Sequence, residues 1–167
     1  MIKKILAPTD LSELSRAGVR YALNKARDHA AEVTIYHVVT VDEIRKLSDR
    51  IKEHWLPAGE VSNLLETHLE TYRVNLARFV GQNFSDLLHF VRVNEKVELG
   101  SPDKNIVERA KTEGVDLIIM ATHGRGGLSR TFLGSVTDQV IRNAPCPVLA
   151  IPPHLTEVGE GLYVPAR

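Results

Sequence analysis

The sequence is short of cysteine, of charge imbalance and of long apolar runs, and each shortage removes a class of protein. A single cysteine, Cys146, among 167 residues cannot close an internal disulfide, so nothing demands an oxidising compartment. Flanked by Pro145 and Pro147, it reads as a small buried apolar residue rather than a nucleophile. Lys plus Arg and Asp plus Glu stand at 21 each, for a formal net charge of zero. A protein built for nucleic acid would carry a basic excess. No stretch approaches the roughly 20 apolar residues of a membrane span. The apolar run behind Lys3 and Lys4 stops after three residues, at Pro8, too short for a signal peptide. The expectation is a soluble cytoplasmic protein of one domain, with neither nucleic acid nor membrane as partner.

Lysine is missing altogether beyond Lys111, which excludes the Gly-x-x-x-x-Gly-Lys-Ser/Thr phosphate loop from the glycine-rich part of the chain. The dinucleotide pattern Gly-x-Gly-x-x-Gly also fails, because Ser129 stands where its third glycine would follow Gly124 and Gly126. What remains is a stretch from Val115 to Val136 that reads as a short apolar strand, a glycine-rich turn and a helix led in by Gly134 and Ser135. Gly124, Gly126 and Gly127 let the backbone approach a ligand with no Cβ in the way. A helix opening behind such a loop directs its unpaired N–H groups, at the positive end of its dipole, toward phosphate.

The rest of the chain alternates strand and helix. Ile2 to Ala7 reads as a buried first strand ending at Pro8, Thr9 and Asp10. A helix is expected from about Leu11 to His29, with Leu14, Ala17, Gly18, Tyr21, Ala22 and Lys25 on one stripe. Ser12 or Asp10 would cap it, Asp10 with Glu13 forming a capping box. Val33 to Val39 is a second strand, rich in β-branched residues. Ile44, Leu47, Ile51 and Trp55 space like a short amphipathic helix that stops at Pro57. Residues 41–59 form an elaborated connection that either patches the surface or acts as a lid. From Glu60 a longer helix carries a stripe from Val61 to Val80, and a third strand is expected within Leu87 to Leu99. Pro102 opens a helix that ends at Gly114, and Val148 to Ile151 makes the fifth strand. Residues 1–153 then form one domain and residues 154–167 a loosely held tail. Five alternations of strand and helix call for an α/β, doubly wound, Rossmann-like parallel sheet with helices on both faces.

Several blocks together resemble the universal stress proteins: KKILAPTDLSELS, TIYHVV, ELGSPDKNIVERAKTEGVDLIIMATHGRGG and APCPVLAIPP, which cover almost the whole chain. The ATP-binding members of that family carry Gly, two residues, Gly, nine residues, then Gly-Ser or Gly-Thr. Gly124, Gly134 and Ser135 fit this spacing, while Ala121 stands where the first glycine falls. The resemblance implies an open five-stranded sheet of order 3-2-1-4-5, which sets the tips of strands one and four side by side at a switch point where ligands bind. It implies ATP, with or without Mg, as the ligand. The base would lie near Val39 and Met120, with Pro8, Thr9 and Asp10 beside the nucleotide. The phosphates would lie on the loop from Gly124 to Ser135, against Gly124, Arg125, Gly127, Gly134, Ser135 and Val136, with Ala121, Thr122 and His123 of the turn completing the nucleotide site. It implies, further, a homodimer paired through Val148 to Ile151, and a stress-response role through an unidentified protein partner.

The departure at Ala121 has two readings. A left-handed backbone there would cost alanine about 1–2 kcal/mol, and a methyl directed into the base pocket would obstruct binding. No positioned base, second carboxylate or metal-ligand cluster accompanies the loop, so the expectation is binding with at most slow hydrolysis, not an enzyme. The alternative is a nucleotide-free dimeric interaction module of the same fold. A phosphoacceptor receiver domain would need clustered acids after strand one and a lysine after strand five, where Asp10 stands alone and Pro152 follows.

Overall fold

The computed structural model describes residues 1–51, 60–123 and 133–152. Ten elements run in order: β1 (Lys4–Pro8), α1 (Arg16–His29), β2 (Glu32–Val39), α2 (Val41–Ile51), α3 (Glu60–Leu88), β3 (Arg92–Leu99), α4 (Pro102–Thr112), β4 (Leu117–Ala121), α5 (Ser135–Asn143) and β5 (Val148–Ile151). The strands form one sheet of order β3-β2-β1-β4-β5, and every neighbouring pair is parallel. The expected order is therefore the observed one, with β1 and β4 adjacent. Among the described residues no helix is long and apolar enough to cross a membrane.

Alternation along the strands divides the core into two layers. Ile5, Ala7, Val33, Ile35, Val39 and Ile119 face one way, toward the buried stripe of α1 and toward Leu76, Phe79, Val80, Phe84 and Leu87 of α3. Leu6, Tyr36, Val38, Ile118 and Met120 face the other way, against Ile106 and Ala110 of α4 and Val140 of α5. Each fully buried Val, Leu, Ile or Phe contributes about 1.5–3 kcal/mol relative to exposure, so a one-residue slip of any strand would reverse a large term. The start of the sheet is clipped by Asp116, whose carboxylate accepts the backbone N–H groups of Lys3 (2.8 Å) and Lys4 (2.9 Å). Those two amides hold the Asp116 carboxyl below the usual carboxylate range.

Three boundaries differ from expectation, each for a local reason. Helix α1 begins at Arg16, not near Leu11, and the Asp10–Glu13 capping box does not form. Asp10 instead accepts the backbone N–H (3.0 Å) and hydroxyl (2.5 Å) of Ser12, an Asx-type turn that competes with helix. The buried stripe is accordingly Ala17, Gly18, Val19, Ala22, Leu23 and Ala26, and Tyr21 is exposed. Helix α3 does not end its apolar stripe at Val80. A break at Phe84 (φ −137°, ψ 17°) returns Phe84 and Leu87 to the core. Arg20 supports the break: its guanidinium donates to Asn83 O (2.6 Å) and Asp86 (2.9 Å) and lies over the Phe84 ring at 5.4 Å. The third strand therefore starts at Arg92, since Leu87 belongs to the helix. Helix α2 opens on a reciprocal cap: Glu43 Oε2 accepts the Thr40 N–H (2.9 Å), and the Glu43 N–H donates to Thr40 Oγ1 (3.2 Å). Trp55, Pro57 and the tail 154–167 lie outside the described residues.

Candidate functional site

The carboxyl ends of β1, β2 and β4 open on a cavity of about 430 Å³, on the side of the sheet that carries α4 and α5. A volume in the range of roughly 300–1,000 Å³ is that of small-molecule sites. Its wall from β1 is Pro8, Thr9 and Asp10, and its floor is Tyr36, Val38 and Met120, with Ile106 of α4 across from them. The first turn of α5 supplies Gly134, Ser135, Val136 and Thr137, and the start of α2 supplies Thr40 and Glu43.

The tip of β1 is held at every polar atom of Thr9. Its N–H donates to Tyr36 O (2.9 Å), and its carbonyl accepts the His37 Nδ1–H at 2.9 Å. Its hydroxyl donates to Ser15 Oγ (2.8 Å), whose own O–H donates to Ser12 O (2.8 Å). Ser15 precedes α1 but gives it no side-chain cap, because that hydroxyl is spent on the β1 tip. Leu11, next but one, takes φ 62°, a left-handed conformation that costs a leucine about 1–2 kcal/mol. Strain of this kind collects at ligand sites.

At the α5 end, the first intrahelical bond runs from Asp138 N to Gly134 O (2.9 Å). The N–H groups of Ser135, Val136 and Thr137 precede it, at the positive end of the helix dipole. Gly134 N donates to Thr122 O (2.8 Å), and Thr137 Oγ1 donates to Ala121 O (3.0 Å), so α5 is seated on the end of β4. The fit leaves no slack: a Cβ on Gly134 would lie 3.2 Å from Thr122 O and 3.7 Å from His123 Cα. Behind the floor, Tyr36 donates from its hydroxyl to Glu98, Arg109 pairs with Glu98 and Glu113, and the Arg109 guanidinium lies over the Tyr36 ring at 5.3 Å. This brace joins β2, β3 and α4 under the cavity.

Of the residues expected at the site, Pro8, Thr9, Asp10, Met120, Ala121, His123, Gly134, Ser135 and Val136 line the cavity. Val39 does not. It packs in the opposite layer with no exposure, and strand alternation gives its place to Val38. Thr122 lies behind the wall, its N–H donated to Ile151 O (2.9 Å) and its carbonyl taken by Gly134. Gly124, Arg125 and Gly127 lie outside the described residues. Ala121 ends β4 and is not among the residues with positive φ, so alanine there carries no left-handed strain. Among the described residues no three His, Cys, Asp or Glu side chains converge as a metal site. Ser15, Tyr36, His37, Val38, Thr40, Glu43, Pro102, Ile106 and Thr137 also line the cavity and were not expected. Thr40 with Glu43 was legible as a Thr-x-x-Glu cap, whereas Ile106 and Thr137 reach the cavity only through packing.

The family described as the universal stress protein family matches residues 1–152. This chain belongs to it. The chain is 34% identical over 157 residues to universal stress protein MJ0577 of Methanocaldococcus jannaschii, across 90% of this chain and 95% of that one. The solved structure of MJ0577 overlays with a TM-score of 0.66 at 33% identity, covering 91% of this chain and 96% of that one. The universal stress protein UspA from Lactobacillus plantarum gives 0.67 at 26% identity, covering 90% and 97%. A universal stress protein solved in complex with cAMP shares the fold at 18% identity and a TM-score of 0.59, covering 90% and 97%.

Proposed function

We propose that this universal stress protein binds ATP in the cavity at the ends of β1, β2 and β4 and acts by nucleotide-dependent contact with partners. The observation that carries the reading is one cavity with two unlike ends. Apolar side chains of Val38, Ile106 and Met120 suit a flat base, and the first turn of α5 offers N–H donors to phosphate. Asp10, held by the pinned Thr9, would accept from donor groups on the base or sugar. A bound ATP would bring Mg with it as phosphate counter-charge, since the described residues supply no metal cluster of their own. We read the protein as one that binds ATP with at most slow hydrolysis rather than as an enzyme, on the sequence pattern of the loop.

Titrating nucleotide-stripped protein with Mg-ATP in a calorimeter, with thermal unfolding in parallel, is expected to give saturable binding and a rise in Tm. No saturation and no shift at millimolar ATP would reject the reading and leave the nucleotide-free interaction module in its place.

Pairing of two copies through β5 belongs to the same proposal. β5 is a sheet edge of four residues, Val148 to Ile151, and a bare apolar edge invites strand pairing. A two-fold axis would close it antiparallel. Light scattering at micromolar protein is expected to give twice the chain mass, and a monomer would contradict it.

A further inference from the structure

We infer that His37 is a positioning residue of this cavity, holding the end of β1 so that Asp10 meets the ligand in a single orientation. The inference deepens the nucleotide reading and rests on it. His37 is 2% exposed in a strand whose neighbours on the same side, Val33, Ile35 and Val39, are core residues. An imidazole in such surroundings is unfavourable unless it is hydrogen-bonded. Its Nδ1–H donates to the Thr9 carbonyl at 2.9 Å, across 28 residues of sequence. Thr9 is the first residue past β1, and its N–H still reaches Tyr36 O as a strand residue would. From there the chain turns through Asp10 and the left-handed Leu11. Thr9 itself is only 7% exposed, so water is a poor substitute donor for its carbonyl. The imidazole of His37, itself a lining residue of the cavity, supplies that donor. Tyr72 of α3 stands beside the ring, centroids 5.5 Å apart and planes at 34°, and limits how far it can turn. Thr9 is thus fixed at N–H, carbonyl and hydroxyl, and Asp10, the next residue, inherits that orientation.

The geometry makes a demand on the replacement. The donor must sit one bond beyond Cγ, where Nδ1 is. Asparagine places an amide nitrogen at that point, glutamine places one at the Nε2 position, and leucine has none. The three variants His37→Asn, His37→Gln and His37→Leu are compared with the parent in two measurements. Mg-ATP affinity is read by calorimetry, and backbone amide exchange of Leu11 and Ser12 is read by NMR without nucleotide. His37→Asn is expected to stay near the parent value, while His37→Gln and His37→Leu weaken ATP about tenfold and speed exchange at Leu11 and Ser12, the consequence of a carbonyl left without its donor. Amides of β4 and β5 should exchange as in the parent. If His37→Leu fails to fold, the contrast between asparagine and glutamine still decides. Equal behaviour of asparagine and glutamine, or unchanged exchange at the β1 tip, overturns the inference. A parent protein that binds no ATP, with the exchange pattern as stated, overturns the nucleotide reading while the anchoring of the tip stands. A parent that binds ATP, with all three variants alike, overturns the anchoring alone.

Discussion

Alanine at position 18 is expected to destabilise the protein by about 1–3 kcal/mol, while alanine at position 81 stabilises it by about 0.5–1 kcal/mol. Both glycines are helical, Gly18 in α1 and Gly81 in α3, so both substitutions gain the same helix propensity. What separates them is the neighbour. A Cβ on Gly81 would meet nothing within 4 Å. A Cβ on Gly18 would fall 2.5 Å from the backbone N of Ala121 and 2.7 Å from the carbonyl carbon of Met120. Those atoms belong to a central strand bonded on both sides, so α1 must lift or β4 must shift. Either movement opens the layer where Ala17, Val19, Ala22 and Leu23 are buried. Urea unfolding of the two single variants reads both signs in one experiment. Equal stability changes at the two positions would mean that α1 is not seated on the β4 backbone. Because Met120 and Ala121 also form the cavity wall, the same substitution should loosen the site it leaves chemically untouched.

That contact marks the limit of what could be read in advance. The strands were legible because runs such as Val33 to Val39 are β-branched and end at turn residues. The helices showed through apolar spacing, and the order of the sheet came through the resemblance. Gly18 appeared only as a member of a stripe, since the close approach to Met120 and Ala121 depends on where a strand a hundred residues later lies. Asp10 and Ser12 misled in the other direction. Both are cap residues by type, and their hydrogen bond to each other stops the helix from starting there. Val39 was placed in the site and Val38 left out, although strand alternation separates them. The side of the sheet on which the cavity opens was not fixed by the local pattern, because β2 is buried on both faces. The brace of Tyr36, Glu98 and Arg109 joins three elements and has no signature in any one of them. The place of Gly134 and Ser135 at a helix start was legible, because a helix opening behind a glycine is a local property.

Valine at position 134 is expected to lower ATP affinity about a hundredfold, or roughly 2.8 kcal/mol at 1.4 kcal/mol per tenfold, with a smaller loss in stability. Gly134 has φ −60° and ψ 148°, an extended conformation that valine adopts readily, so the backbone itself does not resist the change. The resistance comes from Thr122 O, 3.2 Å from the new Cβ, with His123 Cα at 3.7 Å and Thr137 Oγ1 at 4.0 Å. Alanine needs only a few tenths of an ångström of adjustment there. Valine adds two methyl groups on the branch, and these must go toward the cavity that Gly134 lines or push the first turn of α5 off the end of β4. In the first case they occupy the space of a phosphate. In the second, the N–H groups of Ser135 to Thr137 lose their aim, and the bond from Gly134 N to Thr122 O lengthens. The graded series Gly134→Ala and Gly134→Val should therefore lose affinity faster than it loses Tm. The core of α5, built on Val140, is one and a half turns away and stays packed. Calorimetric titration of both variants, with circular dichroism melts, reads the two slopes. Affinity and Tm falling in proportion would mean that Gly134 serves only the joint between β4 and α5. Parent-like binding by the valine variant would move phosphate recognition away from the start of α5 altogether.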